Sequence, residues 1–393
     1  LETTACREYL KKIQWLNLMV KKMIEIKEVK CRKDLHKFIH IPEKIHKNHA
    51  NWLPPIYFDE WNFFNPKKNK SFDYCDTILL LAIKDGEVVG RIMGIINRRY
   101  NLLRNESNGR FGYLECYNDA EVSHALIKAI ADWAKAKEMN KLIGPYGFSD
   151  KDPQGFMIEG FEYPPIIDAP CNLPYMIPLV EQEGFTKEVD CLIYKYDIPE
   201  KFPELHTRIL QRFQEKSDYK VIEFAKRSQI KPYIIPVLHL MNEGYSNIYG
   251  FVPLNDREMN DFAARYMPLL DPRFLKIIAK DDEIAGFVIG LPSLTKGIQK
   301  SKGHILPFGY FQIIWTAKRS KQLDMMLGSV KPKYQGLGLE IPMALRLLES
   351  ARKAKMETME VHLILETNRK MLAEVEKIGA KVIKRFRVFQ KSI

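Results

Sequence analysis

"MLGSVKPKYQGLGLEIPMALRLLESARKAK", Met326 to Lys355, sets two glycines, Gly336 and Gly338, between an apolar strand-like run and a helical pattern. With 21 glycines in the chain, such a pair is expected about once by chance, so its neighbours decide its meaning. Ala344, Leu347, Leu348 and Ala351 recur at i, i+3, i+4 and i+7, which gives the helix one apolar face for a sheet. Pro342 falls in its first turn, where a missing amide hydrogen matters least. The turn thus ends a strand and starts a helix, leaving amide N–H groups at the positive end of the helix dipole, where a phosphate binds well. Glycine lets a phosphate approach the backbone closely, and Lys331 and Lys333 add positive charge. The competing reading is a plain strand-to-helix turn that uses glycine only for its shape. No Walker loop is present, and a Rossmann fingerprint would need a third glycine where Ile341 stands.

Working outward, two segments share one order of elements. "RFLKIIAKDDEIAGFVIGLPSL" reads as a hairpin turning at Asp281-Asp282, followed by the strand "QLDMMLGSV", a helix from Leu339 to Lys355 and the strand "METMEVHLIL". Earlier, "TILLLAIKDGEVVGRIMGIIN" is a hairpin turning at Asp85-Gly86, "RFGYLECY" a strand, and Asn118-Asp119 caps a helix running to about Glu138. Each unit closes alike: Asn172 and Asn368 precede a short helix, a glycine 12 or 11 residues on (Gly184, Gly379), and a strand. This is a diverged internal repeat. "YDIPEKFPELHTRI" is its linker, which divides the chain into residues 23–198 and 199–393. A helical insertion, Lys231 to Leu270, precedes the second sheet. Residues 1–22 read as a polar extension without the apolar run of a signal peptide, and the fold is expected to begin near Met23.

The 393 residues are 46% hydrophobic, ordinary for a packed protein, and Lys plus Arg exceed Asp plus Glu by 61 − 49 = 12. That excess suits nucleotides, phosphorylated cofactors, nucleic acid or an anionic membrane surface without choosing among them. Six scattered cysteines lack C-x-x-C spacing, so neither a zinc site nor a disulfide framework is indicated, and a reducing cytoplasm is the natural reading. No apolar run approaches the ~20 residues that span a bilayer.

"VKPKYQGLGLEIPMAL", a strand ending "LILETN", and "RKMLAEVEKIGAKVIKRFRVFQ" together resemble the acetyl-CoA binding core of GCN5-related N-acetyltransferases, the GNAT superfamily. The first position of that family's loop is Gln or Arg, and Lys333 stands there. "NHANWLPPIYFDEWNFFNPKKN", "DGEVVGRIMGIIN", "IGPYGF", "IEGFEYPP" and "NIYGFVPLNDREM" widen the resemblance to a bacterial family of tandem acyltransferase-like proteins similar to bacterial ceramide synthases. The resemblance implies an α+β protein of two tandem GNAT-like halves, each a mixed twisted sheet flanked by helices. It implies one coenzyme site, in the second half, because "RFGYLECYNDAEV" stands where the first half would carry the glycine loop. The co-substrate would be acetyl-CoA or a longer acyl-CoA, with no metal. It would be held by Leu327, Gly328, Val330, Lys333, Tyr334, Gln335, Gly336, Leu337, Gly338 and Asn368.

Acyl transfer from a thioester to an amine needs a neutral amine, a donor to the developing oxyanion and a proton for the leaving thiolate. The family's oxyanion donor is a backbone amide near a bulge in the strand before the loop, where Leu327 and Gly328 stand. Glu366 is the first candidate base and His362 the second; four residues apart in a strand, they share a face. A surface ion pair or helix cap is the plainer role for Glu366, and a satisfied buried imidazole for His362. The family's usual acid, a tyrosine after the Asn, is replaced by Arg369-Lys370-Met371-Leu372, which leaves two readings: Tyr245 reaches in from the insertion as the acid, or the thiolate leaves unprotonated. Glu243 and Glu258 either line an acceptor pocket or cap helices. "GHILPFGYFQIIWTAKR" reads first as a buried, sheet-packing insert and second as a wall for an acyl chain or a surface touching anionic membrane.

The leading expectation is therefore an acyl-CoA-dependent N-acyltransferase acting on an amine, a long-chain base or other lipid amine by the resemblance, cytoplasmic or peripheral at the inner membrane. A non-catalytic acyl-CoA or lipid binder and an aminoacyl-tRNA-dependent transferase are the alternatives. Nucleic acid is the less favoured partner, since no run of basic residues interleaved with aromatics is evident.

Overall fold

The computed structural model describes residues 24–167 and 169–393; the expected extension and the start of the fold at Met23 lie outside the described residues. The first part of the chain runs β1 (Glu25–Glu28), α1 (Arg32–Ile45), α2 (Tyr57–Phe63), β2 (Cys75–Lys84), β3 (Glu87–Asn97) and α3 (Arg98–Arg104). It continues through β4 (Asn108–Cys116), α4 (Ala120–Lys135), β5 (Lys141–Gly144), β6 (Phe156–Glu159), α5 (Met176–Glu181) and β7 (Thr186–Asp197). The second part runs α6 (Glu204–Lys216), β8 (Lys220–Glu223), α7 (Ile234–Gly244), α8 (Asp256–Tyr266), β9 (Leu275–Lys280) and β10 (Glu283–Pro292). After these come α9 (Thr295–Ser301), α10 (Gly309–Ala317), β11 (Gln322–Val330), α11 (Glu340–Lys353), β12 (Thr358–Leu365), α12 (Arg369–Lys377) and β13 (Lys381–Ser392). The expected repeat is present element by element.

Both hairpins turn at the expected residues. Asp85 (φ 53°) and Gly86 (φ 80°) close β2–β3, the left-handed pair that matches the twist of flanking strands. Asp281 (φ 52°) opens the turn of β9–β10, whose ends pair at Lys280 and Glu283. Asp119 caps α4, its carboxylate accepting from the amides of Glu121 and Val122.

The two halves do not each own a sheet. One mixed sheet runs β1-β2-β3-β4-β5-β13-β7-β12-β11-β10-β9-β8, with β6 also on β13. The last strand of the second half, β13, pairs with β5 of the first, and the last strand of the first, β7, pairs with β12 of the second. β7 and β13 then pair antiparallel with each other from Lys195–Lys381 to Thr186–Gln390. The chain exchanges its closing strands, so division at the linker near Pro199 separates sequence but not sheet. Among the described strands only β4–β5 and β11–β12 are parallel, each joined by a crossover helix, α4 or α11.

Helices cover the sheet through separate apolar clusters. Met343, Leu347, Leu348 and Ala351 of α11 pack on Ile278, Ala285, Leu323 and Val361; the stripe expected to begin at Ala344 begins at Met343. Leu126 and Ile130 of α4 do the same over Leu80, Ile92 and Leu114. The stretch expected first as a buried insert departs from that expectation: it follows α9, forms α10, and leaves Leu306, Phe308, Tyr310, Phe311 and Trp315 exposed. Among the described residues no helix is long and apolar enough to cross a membrane.

Because the exchanged strands tie both halves into one sheet, Phe386→Ala in β13, a side chain only 1% exposed, is expected to destabilise the whole chain by about 3–5 kcal/mol. Urea unfolding followed by far-ultraviolet dichroism and by tryptophan fluorescence should show one shifted transition, and two separated transitions would contradict a shared core.

Candidate active site

β11 and β12 pair only from Gln322–Thr358 to Met325–Val361, and then diverge. Each strand carries an irregularity at that point. Opposite β10 the register skips Met326, and opposite β7 it shifts between Val361 and Ile364, where Leu363 has φ 46°. The result is a wedge with Met326, Leu327 and Gly328 on one side and His362, Leu363 and Ile364 on the other, all lining a cavity of about 1230 Å³. The bulge anticipated beside Leu327 and Gly328 falls at Met326.

Beyond the wedge, the chain turns through Pro332–Tyr334 into Gly336 (φ 83°) and Gly338 (φ 71°) before α11 begins. No heavy atom lies within 4 Å of a Cβ built on Gly336, so conformation and not crowding calls for glycine there. Among the described residues the amides of Gly336 and Gly338 donate to no backbone carbonyl, whereas Leu337 N–H donates to Tyr334 O (3.4 Å) and Ile341 N–H to Gly338 O (3.2 Å). Open amides just before a fourteen-residue helix have the geometry that suits an anion. Around it, Lys331 (2.8 Å), Lys333 (2.7 Å) and the Tyr334 hydroxyl (2.6 Å) all donate to Glu283 of the β9–β10 hairpin. These three donors hold the Glu283 carboxyl down to about 2. Gln335 Nε2 donates to Val330 O (3.2 Å), tying the loop back to its strand.

Tyr245 closes α7 and reaches the wedge. Its hydroxyl donates to Gly328 O (3.1 Å) and stands 3.3 Å from Gly328 N–H, which donates to it. A Cβ on Gly244 would lie 2.0 Å from Ser329 Oγ, so a glycine is what lets α7 come close enough to β11 to deliver this phenol. Burial pushes Tyr245 up to about 12 against the opposing effect of the Gly328 amide, and the hydroxyl keeps its proton at neutral pH.

His362 faces the cavity with its side chain fully buried, Nε2 3.6 Å from Asp324 Oδ1. Asp324 also accepts from Gln322 Nε2 (2.7 Å). Asp324, Glu360 and His362 each offer a ligand-type atom within 4.8 Å of one another, but Lys384 Nζ, 3.7 Å from Glu360, already brings a cation there. Burial raises the Glu360 carboxyl, with Lys384 opposing. Asp324 and Glu360 escaped the sequence reading; the signal was a carboxylate inside each of two apolar strands.

Glu366, the first candidate base, is placed otherwise. It accepts from Lys187 Nζ (2.6 Å) and from the Asp190 amide (3.1 Å), and is not among the residues lining the cavity. The strand irregularity at Leu363 breaks the alternation that would have put it on the face of His362. Asn368 lines the cavity and caps α12, accepting from Met371 N–H (3.3 Å). Glu258 combines both suggested roles: it lines the cavity, completes a capping box with Asn255, and pairs with Arg99 (3.0 Å). Glu243 lies 3.9 Å from Lys331.

The cavity continues past Ile234, Leu238 and Met241 of the insertion to a polar end in the first half. There Arg91 donates to Glu115 (2.7 Å), and His46 Nε2 is 3.2 Å from its other oxygen. Burial would raise Glu115, but Arg91 and His46 outweigh it and bring the carboxyl down to about 2. Burial lifts Glu60 to about 7 despite Arg91, with Glu115 adding to the rise. Asp152 rises to about 6 for the same reason, against the Ser149 amide that donates to it (3.0 Å). In this half β4 and β5 diverge after Arg110 and Ile143 as β11 and β12 do, but Asp119 covers the helix amides and Lys84 pairs with it.

No protein-family model matches the chain. Over 374 residues it is 27% identical to the bacterial ceramide synthase of Caulobacter vibrioides, covering 93% of this chain and 96% of that one. It is 28% identical to protein YghO of Escherichia coli, covering 92% and 94%. Among solved structures, a tandem GNAT protein from the clavulanic acid biosynthesis pathway aligns with a TM-score of 0.55 at 12% identity, covering 94% of this chain and 98% of that one. A GCN5-related N-acetyltransferase from Sphaerobacter thermophilus aligns at 0.51 and 9% identity, covering 94% and 95%. The chain has the tandem GNAT fold and resembles bacterial ceramide synthase along nearly its whole length.

The raised Glu60 carboxyl carries a pH signature. Between about pH 4.5 and 7 the folded chain keeps a proton there that the unfolded chain has released, so stability falls as pH rises through that window. Glu60→Gln is expected to exceed the parent by on the order of 2 kcal/mol at pH 8 and to match it near pH 4, by urea denaturation. Equal stabilities at pH 8 would show that Glu60 is ionised there without cost.

Proposed function

We propose that this protein is an N-acyltransferase that moves an acyl group from a coenzyme A thioester directly to an amine, and that the amine belongs to a long-chain base or another lipid. The observation that carries the reading is one large, mainly apolar cavity opening onto the β11–β12 wedge, beside a helix that begins with open glycine amides. The thioester supplies an activated carbonyl and a thiol leaving group; the chain supplies everything that positions and protonates them.

The amides at Gly336 and Gly338 and the dipole of α11 would receive the pyrophosphate, with Lys331 and Lys333 released from Glu283 as it arrives. The diverging strands leave a slot for the pantetheine arm past Asn368. The Gly328 amide, which donates to the Tyr245 hydroxyl at rest, would turn to the carbonyl oxygen as negative charge grows there, and the phenol would be freed toward the sulfur. His362, backed by Asp324, is the base that takes a proton from the amine. Tyr245, still protonated at neutral pH, gives one to the departing sulfur. A carbon–nitrogen bond forms, the carbon–sulfur bond breaks, and the proton lost from nitrogen is matched by one gained at sulfur. Tyr245 fills the acid role left open where a tyrosine is missing after Asn368, which weakens the case for a binder without catalysis. Glu366 remains a surface ion pair in this scheme. The lipid acceptor is supported by the size and apolar lining of the cavity and by the name of the Caulobacter relative.

Calorimetric titration should show coenzyme A and palmitoyl-CoA binding to the parent, and a loss of at least about a hundredfold in Gly336→Glu/Gly338→Glu. That variant adds charge where the phosphate sits and forces side chains into left-handed backbone. A parent that binds neither ligand would sink the proposal.

Tyr245→Phe is expected to lower kcat by about a hundredfold while leaving coenzyme affinity within about twofold, in steady-state assays of thiol release with amine acceptors. An unchanged kcat would remove Tyr245 from the acid role.

A further inference from the structure

Helix α10 is apolar on two opposite sides. Ile313 and Ile314 face inward, and with the half-exposed Tyr310 they line the cavity. Phe308 (70% exposed), Phe311 (69%) and Trp315 (54%), spaced i, i+3 and i+7, form a second stripe toward solvent, extended by Leu306 at 81%. A helix that is hydrophobic all round is one buried on all sides, and here the protein buries only one.

The charge around the outer stripe is of a single sign. From Ser293 to Gln322 the sequence contains Lys296, Lys300, Lys302, Lys318, Arg319 and Lys321 and no Asp or Glu. These six supply half of the net charge of +12 in thirty residues. The Arg319 guanidinium lies 3.8 Å from the Trp315 ring centroid and Lys300 Nζ lies 5.9 Å from it. Of the six, Lys321 is paired with Glu357 (3.2 Å). An indole flanked by cations, next to exposed phenylalanines, is the composition of a segment resting at the boundary of headgroups and acyl chains.

We propose that the α9–α10 face docks on an anionic phospholipid bilayer, and that α10 is the wall between that bilayer and the acyl-transfer cavity. The inference deepens the lipid-acceptor reading by naming where the acceptor comes from. The phenylalanines and Trp315 enter the interfacial layer, and the lysines and Arg319 meet lipid phosphates. The inner face of the same helix then presents Ile313 and Ile314 to a chain leaving the membrane, so an apolar substrate reaches the wedge without crossing water. α10 is fixed to the body by a small cluster of Leu294, Ile298 and Ile313, and by Gly297, where a Cβ would sit 2.6 Å from Ile313 Cα.

The full chain should be sedimented with vesicles of phosphatidylcholine alone and with phosphatidylglycerol added, at low and high salt. Binding is expected only with phosphatidylglycerol, weakening with salt, and falling about tenfold or more in Phe308→Ser/Phe311→Ser and in Lys300→Glu/Lys302→Glu. None of these four side chains lines the cavity, so circular dichroism and coenzyme A titration should be unchanged in both variants. Absence of the parent from the anionic-vesicle pellet would overturn the proposal. So would binding that neither variant weakens, or a parent dimer, seen by analytical ultracentrifugation, that Phe308→Ser/Phe311→Ser dissociates, which would assign the face to a second copy. Coenzyme A titration reads the catalytic proposal separately, so either reading can fail without the other.

Discussion

The antiparallel pairing of β7 with β13 is the constraint on which the rest of this protein stands. Its residues are buried on both faces from Val189 to Tyr194, and Arg387 makes a two-point ion pair with Asp190 (2.9 and 3.0 Å) across the seam. Because each strand closes the other half's part of the sheet, this pairing fixes the distance and twist between the two halves. The cavity between them is therefore a product of the sheet, not of a hinge between independent domains.

On that frame the wedge follows from two local failures of strand pairing. A skipped residue at Met326 and a left-handed one at Leu363 turn neighbouring strands apart where a parallel pair would continue. Each irregularity has a residue of the proposed mechanism beside it, Gly328 on one strand and His362 on the other. Tyr245 arrives from outside the repeat, on a helix admitted by Gly244, and the proposed mechanism takes its acid from there because α12 carries no tyrosine.

Local features were legible in the sequence because local physics sets them. Asp85-Gly86 and Asp281-Asp282 mark two-residue turns, Asp119 caps a helix, and the Gly336 and Gly338 turn lies where strand and helix periods meet. The exchange of β7 and β13 was not legible, since alternation of side chains says which face is buried but never which neighbour a strand takes. Charged members of the buried cluster were hidden for a related reason: Asp324 and Glu360 resemble solvent-facing positions of a half-exposed strand until His362 of β12 is seen beside Asp324 and Lys384 of β13 beside Glu360. Glu366 illustrates the converse, for a single irregular residue at Leu363 defeats the rule that residues four apart share a face. The aromatic insert misled because apolar composition indicates burial without saying in what medium.

The strand exchange also orders events during synthesis. When β7 has left the ribosome, β5 and β6 still lack the strand that will cover them, because it is encoded in residues 381–393. At ordinary elongation rates the gap lasts roughly 10–40 s. Throughout that interval the first half presents a bare sheet edge at its centre, which is an invitation to pair with another nascent chain. Translation speed and holding chaperones thus bear on the yield of this protein more than the stability of its finished fold would suggest.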